Sequence, residues 1–143
     1  MKTSRNGLEL IKRHEGCRLT SYKCLAGIWT IGYGHTGRDV VPGMTITSLQ
    51  AEELLMKDVR WAEDAINQEN LPLNQNQFDA LVSFVYNIGA GNFRSSTLLK
   101  LLRVNPDSLN MRTEFSKWCK AKGSTLPGLA FRRKQEADMY FSK

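Results

Sequence analysis

The stretch that decides the fold is His14-Glu-Gly-Cys-Arg-Leu-Thr-Ser-Tyr-Lys-Cys-Leu-Ala-Gly-Ile-Trp-Thr-Ile-Gly-Tyr-Gly-His-Thr-Gly37. It combines one carboxylate, two thiols and two imidazoles with repeated glycines. Glycine weakens regular secondary structure and buried polar groups need partners, so this composition is costly in a hydrophobic core. The stretch is therefore typical of a functional site that lies between two helical segments.

The residues after Cys17 favour a small antiparallel sheet. Up to Gly37 the pattern approaches a period of two, with aromatic and β-branched residues between glycines that mark turns or bulges. The preceding residues, from Ser4 to Glu15, have apolar side chains at helical spacing. Glu15 falls at the carboxyl end of that helix, where the helix dipole favours the protonated form that a general acid needs.

Helical periodicity dominates the remainder of the chain. Thr47 and Gln50 form a capping-box pattern before an apolar stripe that continues to about residue 68, which predicts one helix of roughly 30 Å. Asn74 and Gln77 repeat the pattern before a broad apolar stripe, typical of a central, nearly enclosed helix. The sequence further predicts helices at 96–103 and around 111–118, a loop at 123–128 and a final helix at 129–141.

The sum of these elements predicts a mainly helical α+β domain with a small N-terminal sheet. A chain of 143 residues with 41% hydrophobic residues is long enough for one core and too short for two independent domains. Within this single domain, we expect an N-terminal lobe at about 15–46, a joining helix at about 47–68, and a helical lobe formed by 1–14 and 69–143.

The net charge of +6 favours an anionic partner. Because the basic residues are scattered, the pattern lacks the footprint of a nucleic-acid groove. No apolar run reaches the roughly 18 residues of a membrane helix, and no signal-peptide segment is visible. We expect a soluble monomer without a stable membrane anchor or an export signal.

The three cysteines are an odd number and too few for a disulfide scaffold, which indicates synthesis in a reducing compartment. Cys17 and Cys24 lack the C-x-x-C spacing of a zinc or redox site, so neither a metal nor an organic cofactor is expected.

Glu15 is the one acid in the opening stretch, and a glycine-rich turn follows it. A lone Glu that faces a groove with Tyr, Trp and Asn is typical of acid-catalysed glycosidic cleavage. The structural alternative is an ion pair between Glu15 and Arg18.

Several motifs closely resemble the phage-type lysozymes, the endolysins of glycoside hydrolase family 24. They are His14-Glu15-Gly16, Arg18-Leu19, Trp29-Thr30-Ile31-Gly32-Tyr33-Gly34-His35, Gln77-Phe78-Asp79-Ala80-Leu81-Val82-Ser83-Phe84 and Asn87-Ile88-Gly89. The resemblance implies a lysozyme-like fold and hydrolysis of the β-1,4 bond between N-acetylmuramic acid and N-acetylglucosamine in peptidoglycan. It also implies host lysis by a protein made in the host cytoplasm before it is released to the cell wall or periplasm.

The family's active-site pattern is a Glu, eight residues, usually an Asp, five residues and a Thr, which selects Glu15, Cys24 and Thr30 here. By resemblance, Glu15 protonates the leaving oxygen and Thr30 positions the attacking water. Cys24 replaces the usual carboxylate; as a thiolate it can act as base, electrostatic partner or nucleophile. The alternative is a catalytically weak or silent relative that binds peptidoglycan. The stereochemical outcome, inverting or retaining, is left open.

Cys17 and Cys24 flank a turn, and a disulfide between them would block Cys24 if their Cα atoms came within about 6 Å. This is a redox-control hypothesis; its alternative makes Cys17 a small hydrophobic residue at the helix end.

Four further residues are expected to contact substrate: Tyr33, His35, Asn87 and Asn92. Each has an alternative or additional role in the fold. His35 can bind a buried carboxylate, and Asn87 and Asn92 can cap helices. Asp39 is expected in a turn or salt bridge rather than as a second catalytic carboxylate.

Overall fold

The computed structural model describes all 143 residues. Its elements, in chain order, are α1 (Arg5–Glu15), β1 (Arg18–Lys23), β2 (Trp29–Gly32), β3 (His35–Thr36), α2 (Ser48–Asp58), α3 (Arg60–Asn67), α4 (Gln75–Ile88), α5 (Ala90–Arg94), α6 (Thr97–Val104), α7 (Met111–Ser116), β4 (Lys120–Ala121), β5 (Ser124–Thr125) and α8 (Pro127–Tyr140). None of these helices has the length and apolar character needed to cross a membrane. The α+β class predicted from the sequence is confirmed.

Two compact units divide the chain. The sheet unit is Ile11–Arg60, and the helical unit combines Met1–Leu10 with Trp61–Lys143.

The prediction of one continuous joining helix at 47–68 is wrong. It consists of α2 and α3, separated at Val59. Val59 keeps helical dihedral angles (φ −73°, ψ −11°), and its N–H donates to carbonyls both four and two residues back. Because the apolar spacing runs through this interruption, the sequence pattern predicted one helix. The predicted capping box of Thr47 and Gln50 is confirmed.

In the sheet unit, β2 pairs antiparallel with β1 on one side and with β3 on the other. A bulge distorts β1: Arg18 pairs with Gly32 and Tyr22 pairs with Thr30. Four residue steps along β1 therefore match two steps along β2. The two extra residues bend β1 and bring the side chains of Arg18 and Tyr22 closer together than in a regular strand.

In the helical unit, the central element is α4, whose residues from Gln77 to Val85 are all buried. Its capping box of Asn74 and Gln77 is confirmed. Phe84 packs edge-to-face on Phe115, with ring centroids 5.2 Å apart, and also contacts Trp118. These aromatic side chains belong to the core, as their helical spacing indicated.

A buried ionic cluster joins α4 to α8. Glu136 is fully buried and accepts a hydrogen bond from the Ser83 hydroxyl at 2.6 Å. Arg133 Nε lies 2.8 Å from Glu136 Oε1, at an angle that makes no hydrogen bond, and Arg132 Nε lies 3.3 Å from Oε2. Burial raises the pKa of Glu136, and the two guanidinium groups oppose that rise. The cluster keeps three charges buried by pairing them.

The C-terminal segment differs from the predicted loop at 123–128. Ser124–Thr125 forms β5 and pairs with β4 in a two-stranded hairpin. The last helix begins at Pro127 rather than at residue 129, because proline suits the first turn of a helix. The five-residue helix α5 was not predicted, since Gly89 and Gly91 favoured a helix end there.

The amino end of α1 is held by a buried carboxylate from α4. Asp79, with no exposed surface, accepts hydrogen bonds from the Ser4 backbone N–H at 2.9 Å, the Ser4 hydroxyl and the Gln75 amide. The carboxylate satisfies donors at the start of α1 that have no partner inside the helix. It also leaves no room for a side chain at Gly7, where an added Cβ would lie 2.8 Å from Asp79 Cγ.

We predict opposite effects of alanine at two helical glycines. Gly7→Ala should lower the free energy of unfolding by about 1–3 kcal/mol, because the methyl group forces Asp79 or Thr3 to move. Gly128→Ala in α8 is the matched control: its Cβ meets nothing within 4 Å, and the helix gains up to about 1 kcal/mol. Urea unfolding curves measure both changes, and equal effects at the two sites would contradict the steric explanation.

Candidate active site

Glu15 is the last residue of α1 and is half-buried. The chain turns away immediately after it, at Gly16 (φ +67°), whose N–H donates to the Lys12 carbonyl. Glu15 Oε2 lies beside Gly34 in the β2–β3 turn, where an added Cβ would be 3.4 Å from it. Gly34 has a φ of +87° and no side chain, so it leaves the space next to the carboxylate open.

Cys24 follows β1 at the start of the turn that leads to β2 and is half-buried. Hydrogen bonds from the backbones of Ile28 and Ala26 lower the pKa of its thiol, against the opposing effect of desolvation, and the Thr30 side chain lowers it further. This position therefore favours a thiolate more than an ordinary exposed cysteine does.

Thr30 lies on β2 and is buried. Its hydroxyl donates to the Ile28 carbonyl at 3.0 Å, and its side chain is near enough to Cys24 to lower the pKa of that thiol. A hydroxyl has one proton and can rotate, so it can donate to the sulfur when Cys24 is ionised. The structure thus brings together Cys24 and Thr30, two members of the predicted triad, and places all three members in the sheet unit.

The structure does not contain the alternative ion pair between Glu15 and Arg18. Arg18 instead stacks on Tyr22, with its guanidinium carbon 4.5 Å from the ring centre.

The Cys17–Cys24 disulfide hypothesis is incompatible with this fold. All three cysteines are free, and β1 separates these two. The ends of β1 pair with Gly32 and Trp29 of β2, three steps or roughly 10 Å apart, and each cysteine lies beyond one end. A disulfide needs Cα atoms within about 7 Å, so it would require β1 to unfold. Cys17 instead lies within hydrogen-bonding range of the Tyr33 side chain.

Tyr33, an expected substrate contact, is half-buried in the sheet unit. Burial raises the pKa of its phenol, and the neighbouring Cys17 raises it further. Lys12 Nζ lies 5.7 Å from the ring centre and also forms an ion pair with Glu52 at 2.7 Å. Tyr33 therefore acts as a neutral hydrogen-bonding group across the neutral pH range.

Both ring nitrogens of His35 are used inside the protein. Its Nδ1 lies 2.7 Å from Asp58 Oδ2, and its Nε2 lies 2.9 Å from Asp39 Oδ2. Burial by itself would lower the pKa of His35, but the hydrogen bonds and charges of Asp39 and Asp58 outweigh it and raise the pKa. The predicted structural role of His35 and the predicted salt bridge of Asp39 agree with this geometry, in which the ring holds β3 to α2. The expected contact of His35 with substrate has no support in this geometry.

Asn87 and Asn92 lie in the helical unit, on α4 and α5. The Asn87 side-chain oxygen accepts a hydrogen bond from Arg133 Nη2 at 2.8 Å. The Asn92 amide donates to the Ile88 carbonyl at 2.8 Å and so caps the end of α4. This is the helix-capping role that the sequence offered as the alternative to substrate contact. Their contact with substrate stays a prediction.

Sequence reasoning missed three site features. Asp58 is the second carboxylate on His35, Gly34 leaves space beside Glu15, and Arg18 stacks on Tyr22. The helical spacing of α2 carried no signal for Asp58. The glycine run marked Gly34 only as a turn, and a regular strand would have kept Arg18 and Tyr22 apart.

The fold corresponds to that of known proteins. The phage lysozyme family model matches residues 12–136. An endolysin of Acyrthosiphon pisum secondary endosymbiont phage 1 is 47% identical over 147 aligned residues, covering 99% of both chains, and the endolysin of Salmonella phage P22 is 43% identical with the same coverage. A crystal structure of a point mutant of P22 lysozyme superimposes with a TM-score of 0.92 at 42% identity, covering 99% of both chains. The chain belongs to the phage lysozyme family.

The lysozyme-like fold predicted from the motifs is confirmed by this agreement. The assignment of Glu15 and Thr30 to the Glu and Thr of the family's active-site pattern stays a prediction from the resemblance.

We predict that His35 makes the stability of the protein depend on pH. Because the pKa of His35 is raised in the folded protein, its contribution is complete below the unfolded pKa near 6.5 and is lost as pH rises through the folded value. His35→Gln should therefore lower the free energy of unfolding by about 1–2 kcal/mol near pH 6 and by less at pH 9. Urea unfolding across this pH range measures the difference.

Asp39→Asn serves as the companion variant for this prediction. It removes one of the two carboxylates and leaves Asp58 in place, so the pH dependence should become shallower without disappearing. A wild-type minus His35→Gln difference that stays constant from pH 6 to 9 would show that the ring acts by packing alone.

Proposed function

We propose that this chain is an endolysin, a lysozyme that hydrolyses the β-1,4 bond between N-acetylmuramic acid and N-acetylglucosamine in bacterial peptidoglycan and so lyses the host cell. Its full-length similarity to endolysins supports the enzyme class and the peptidoglycan substrate. The single observation that carries the catalytic assignment is that Glu15, Cys24 and Thr30 lie in the same sheet unit at the spacing of the family's pattern.

Glu15 is the general acid in this proposal. It is the last residue of α1, and its half-buried carboxylate lies beside Gly34, which has no side chain to cover it. Protonated Glu15 gives its proton to the glycosidic oxygen as the bond from that oxygen to the anomeric carbon breaks. Positive charge then develops on the sugar ring, in the manner common to glycoside hydrolases.

Cys24 is the general base, acting as a thiolate. Water attacks the anomeric carbon, its oxygen forms the new bond, and its proton passes to the Cys24 sulfur. Thr30 binds the water and the sulfur through its hydroxyl, which fixes the direction of attack. The lowered pKa of Cys24 makes the thiol available in its ionised form.

The second candidate is a weak or silent relative that binds peptidoglycan without cleaving it. The observation that favours it is the thiol at the position where the family usually has a carboxylate. Turnover by the wild-type protein decides between the two.

We also propose that the protein is made in the host cytoplasm and then reaches the cell wall or periplasm, because its substrate lies outside the cytoplasmic membrane. A monomer is sufficient for this activity, since the Glu15, Cys24 and Thr30 site is contributed by one sheet unit.

We predict a graded response to substitutions at Cys24. Cys24→Ser should lower kcat by about 100-fold or more, because a hydroxyl does not ionise near neutral pH and general-base catalysis contributes that much. Cys24→Asp should keep substantial activity and move the rising limb of the pH–rate profile to lower pH, since a carboxyl group ionises near pH 4. Cell-wall turbidity and release of reducing sugars measure both.

Cys119→Ser is the matched thiol control, since Cys119 belongs to the helical unit and the candidate site to the sheet unit. It should retain wild-type activity and pH profile. Full activity of Cys24→Ser with an unchanged profile would remove the thiol from the mechanism.

Glu15→Gln should abolish turnover while the protein stays folded, because an amide keeps the shape of the side chain but has no proton to donate to the leaving group. Circular dichroism confirms folding, and binding to insoluble cell walls should persist. Residual lysis at the wild-type rate would exclude Glu15 as the acid.

A further inference from the structure

The bulge in β1 brings an exposed cation onto the same face of the sheet as the proposed catalytic residues. In a regular strand, residues 18 and 22 would lie roughly 13 Å apart. Their partners on β2, Gly32 and Thr30, are only two steps apart, or roughly 7 Å. The shortened separation lets the guanidinium group of Arg18 stack over the ring of Tyr22, at 4.5 Å from the ring centre.

Tyr22 and Thr30 are opposed in the antiparallel pair, so their side chains share one face of the sheet. Cys24 comes two residues after Tyr22, so the alternation of side chains along β1 puts it near that face, and Thr30 lowers the pKa of its thiol. Lys23 and Trp29 form the next pair and share the opposite face, with Lys23 Nζ 5.6 Å from the ring centre. Arg18 thus supplies a positive charge to the catalytic face.

Arg18 is exposed and forms no ion pair with an acidic residue of the chain. By contrast, Lys12 in the same unit is neutralised by Glu52 at 2.7 Å. The stack on Tyr22 restricts the side chain of Arg18 without neutralising it, because a cation over a ring face is attracted to the ring while its edge N–H donors stay available. A guanidinium held in this way is suited to a planar, two-oxygen anion.

We propose that Arg18 is a specificity-determining residue that binds a carboxylate of the peptide attached to N-acetylmuramic acid. The inference rests on the proposed function, because peptidoglycan is the substrate that has both a glycan to cleave and peptide carboxylates beside it. Arg18 takes no part in the chemistry of bond cleavage. It favours glycan strands that still have their peptides, and Tyr22 holds it in position.

The test compares two substrates that differ only in the peptide. Intact peptidoglycan and glycan strands from which an amidase has removed the peptides are digested at low ionic strength, and reducing ends are counted. Arg18→Gln should lower kcat/KM on intact peptidoglycan about tenfold, mainly through KM, and change it within about twofold on peptide-free strands. Arg18→Lys should fall between Arg18→Gln and wild type, since an ammonium keeps the charge and loses the two-pronged geometry.

Two further variants separate the effect of the Arg18 charge from that of its stack on Tyr22 and from a general loss of surface charge. Arg38→Gln removes an exposed arginine from the same unit, in the loop after β3, and should leave both rates unchanged. Tyr22→Leu keeps the charge of Arg18 but removes the ring, and it should reduce the preference for intact peptidoglycan. Raising the salt concentration should reduce the preference of the wild type as well, because an exposed ionic contact is screened.

An equal fall on both substrates in Arg18→Gln would overturn the proposal and give Arg18 a structural or glycan-binding role. No change on either substrate would overturn it too. Binding of a soluble disaccharide-peptide and of the same disaccharide without peptide is measured by calorimetry in parallel. If the wild type cleaves neither substrate, the proposed function fails; loss of the peptide-dependent binding in Arg18→Gln then still supports the role of Arg18, and its persistence excludes it.

Discussion

The buried carboxylate of Asp79 fixes where α1 begins. It lies in the second turn of α4 with no exposed surface, yet accepts hydrogen bonds from Ser4 and Gln75. A helix start has several N–H donors without partners, and a fixed acceptor satisfies them at one register only. From that start α1 continues for 11 residues to Glu15, and Gly16, with a φ of +67°, ends it. The close packing at Gly7 shows how little freedom the contact leaves.

The two units treat charge in different ways. In the helical unit, Glu136 is fully buried and paired with arginines, an arrangement that costs desolvation and is retained by mutual attraction. In the sheet unit, Glu15 and Cys24 are half-buried, and backbone hydrogen bonds lower the pKa of the Cys24 thiol. The buried cluster thus stabilises its charges by pairing them, whereas the turn at Cys24 stabilises a negative charge through backbone N–H groups.

Much of the fold could be predicted from the sequence because local signals coincide with it. Capping boxes at Thr47 and Asn74 gave two helix starts, and the glycine and aromatic pattern gave the antiparallel sheet. The break at Val59 could not be predicted, because the residue is neither glycine nor proline and its dihedral angles stay helical. The short hairpin at β4 and β5 has only two residues in each strand, too few for a periodicity to register.

Those residues of the candidate site that follow a fixed spacing along the chain could be predicted from the sequence. Glu15, Cys24 and Thr30 came from the family pattern, and the structure adds that the Thr30 side chain lowers the pKa of the Cys24 thiol. The partners of His35 depend on long-range pairing that spacing does not encode. The Cys17–Cys24 disulfide was wrong for a related reason: the pattern showed two cysteines around a turn, but the residues between them form an extended strand.

The groups that surround Cys24 determine which side chains position 24 can accept. The hydrogen bonds from Ile28 and Ala26 come from the backbone, so they depend on the shape of the turn and are indifferent to the side chain they serve. The same donors would solvate a carboxylate as readily as a thiolate. We therefore expect the turn to accept Asp at position 24 as well as Cys, with no compensating change in the core. What differs between the two versions is exposure to oxidants, since a thiolate is a target for oxidation and a carboxylate is not.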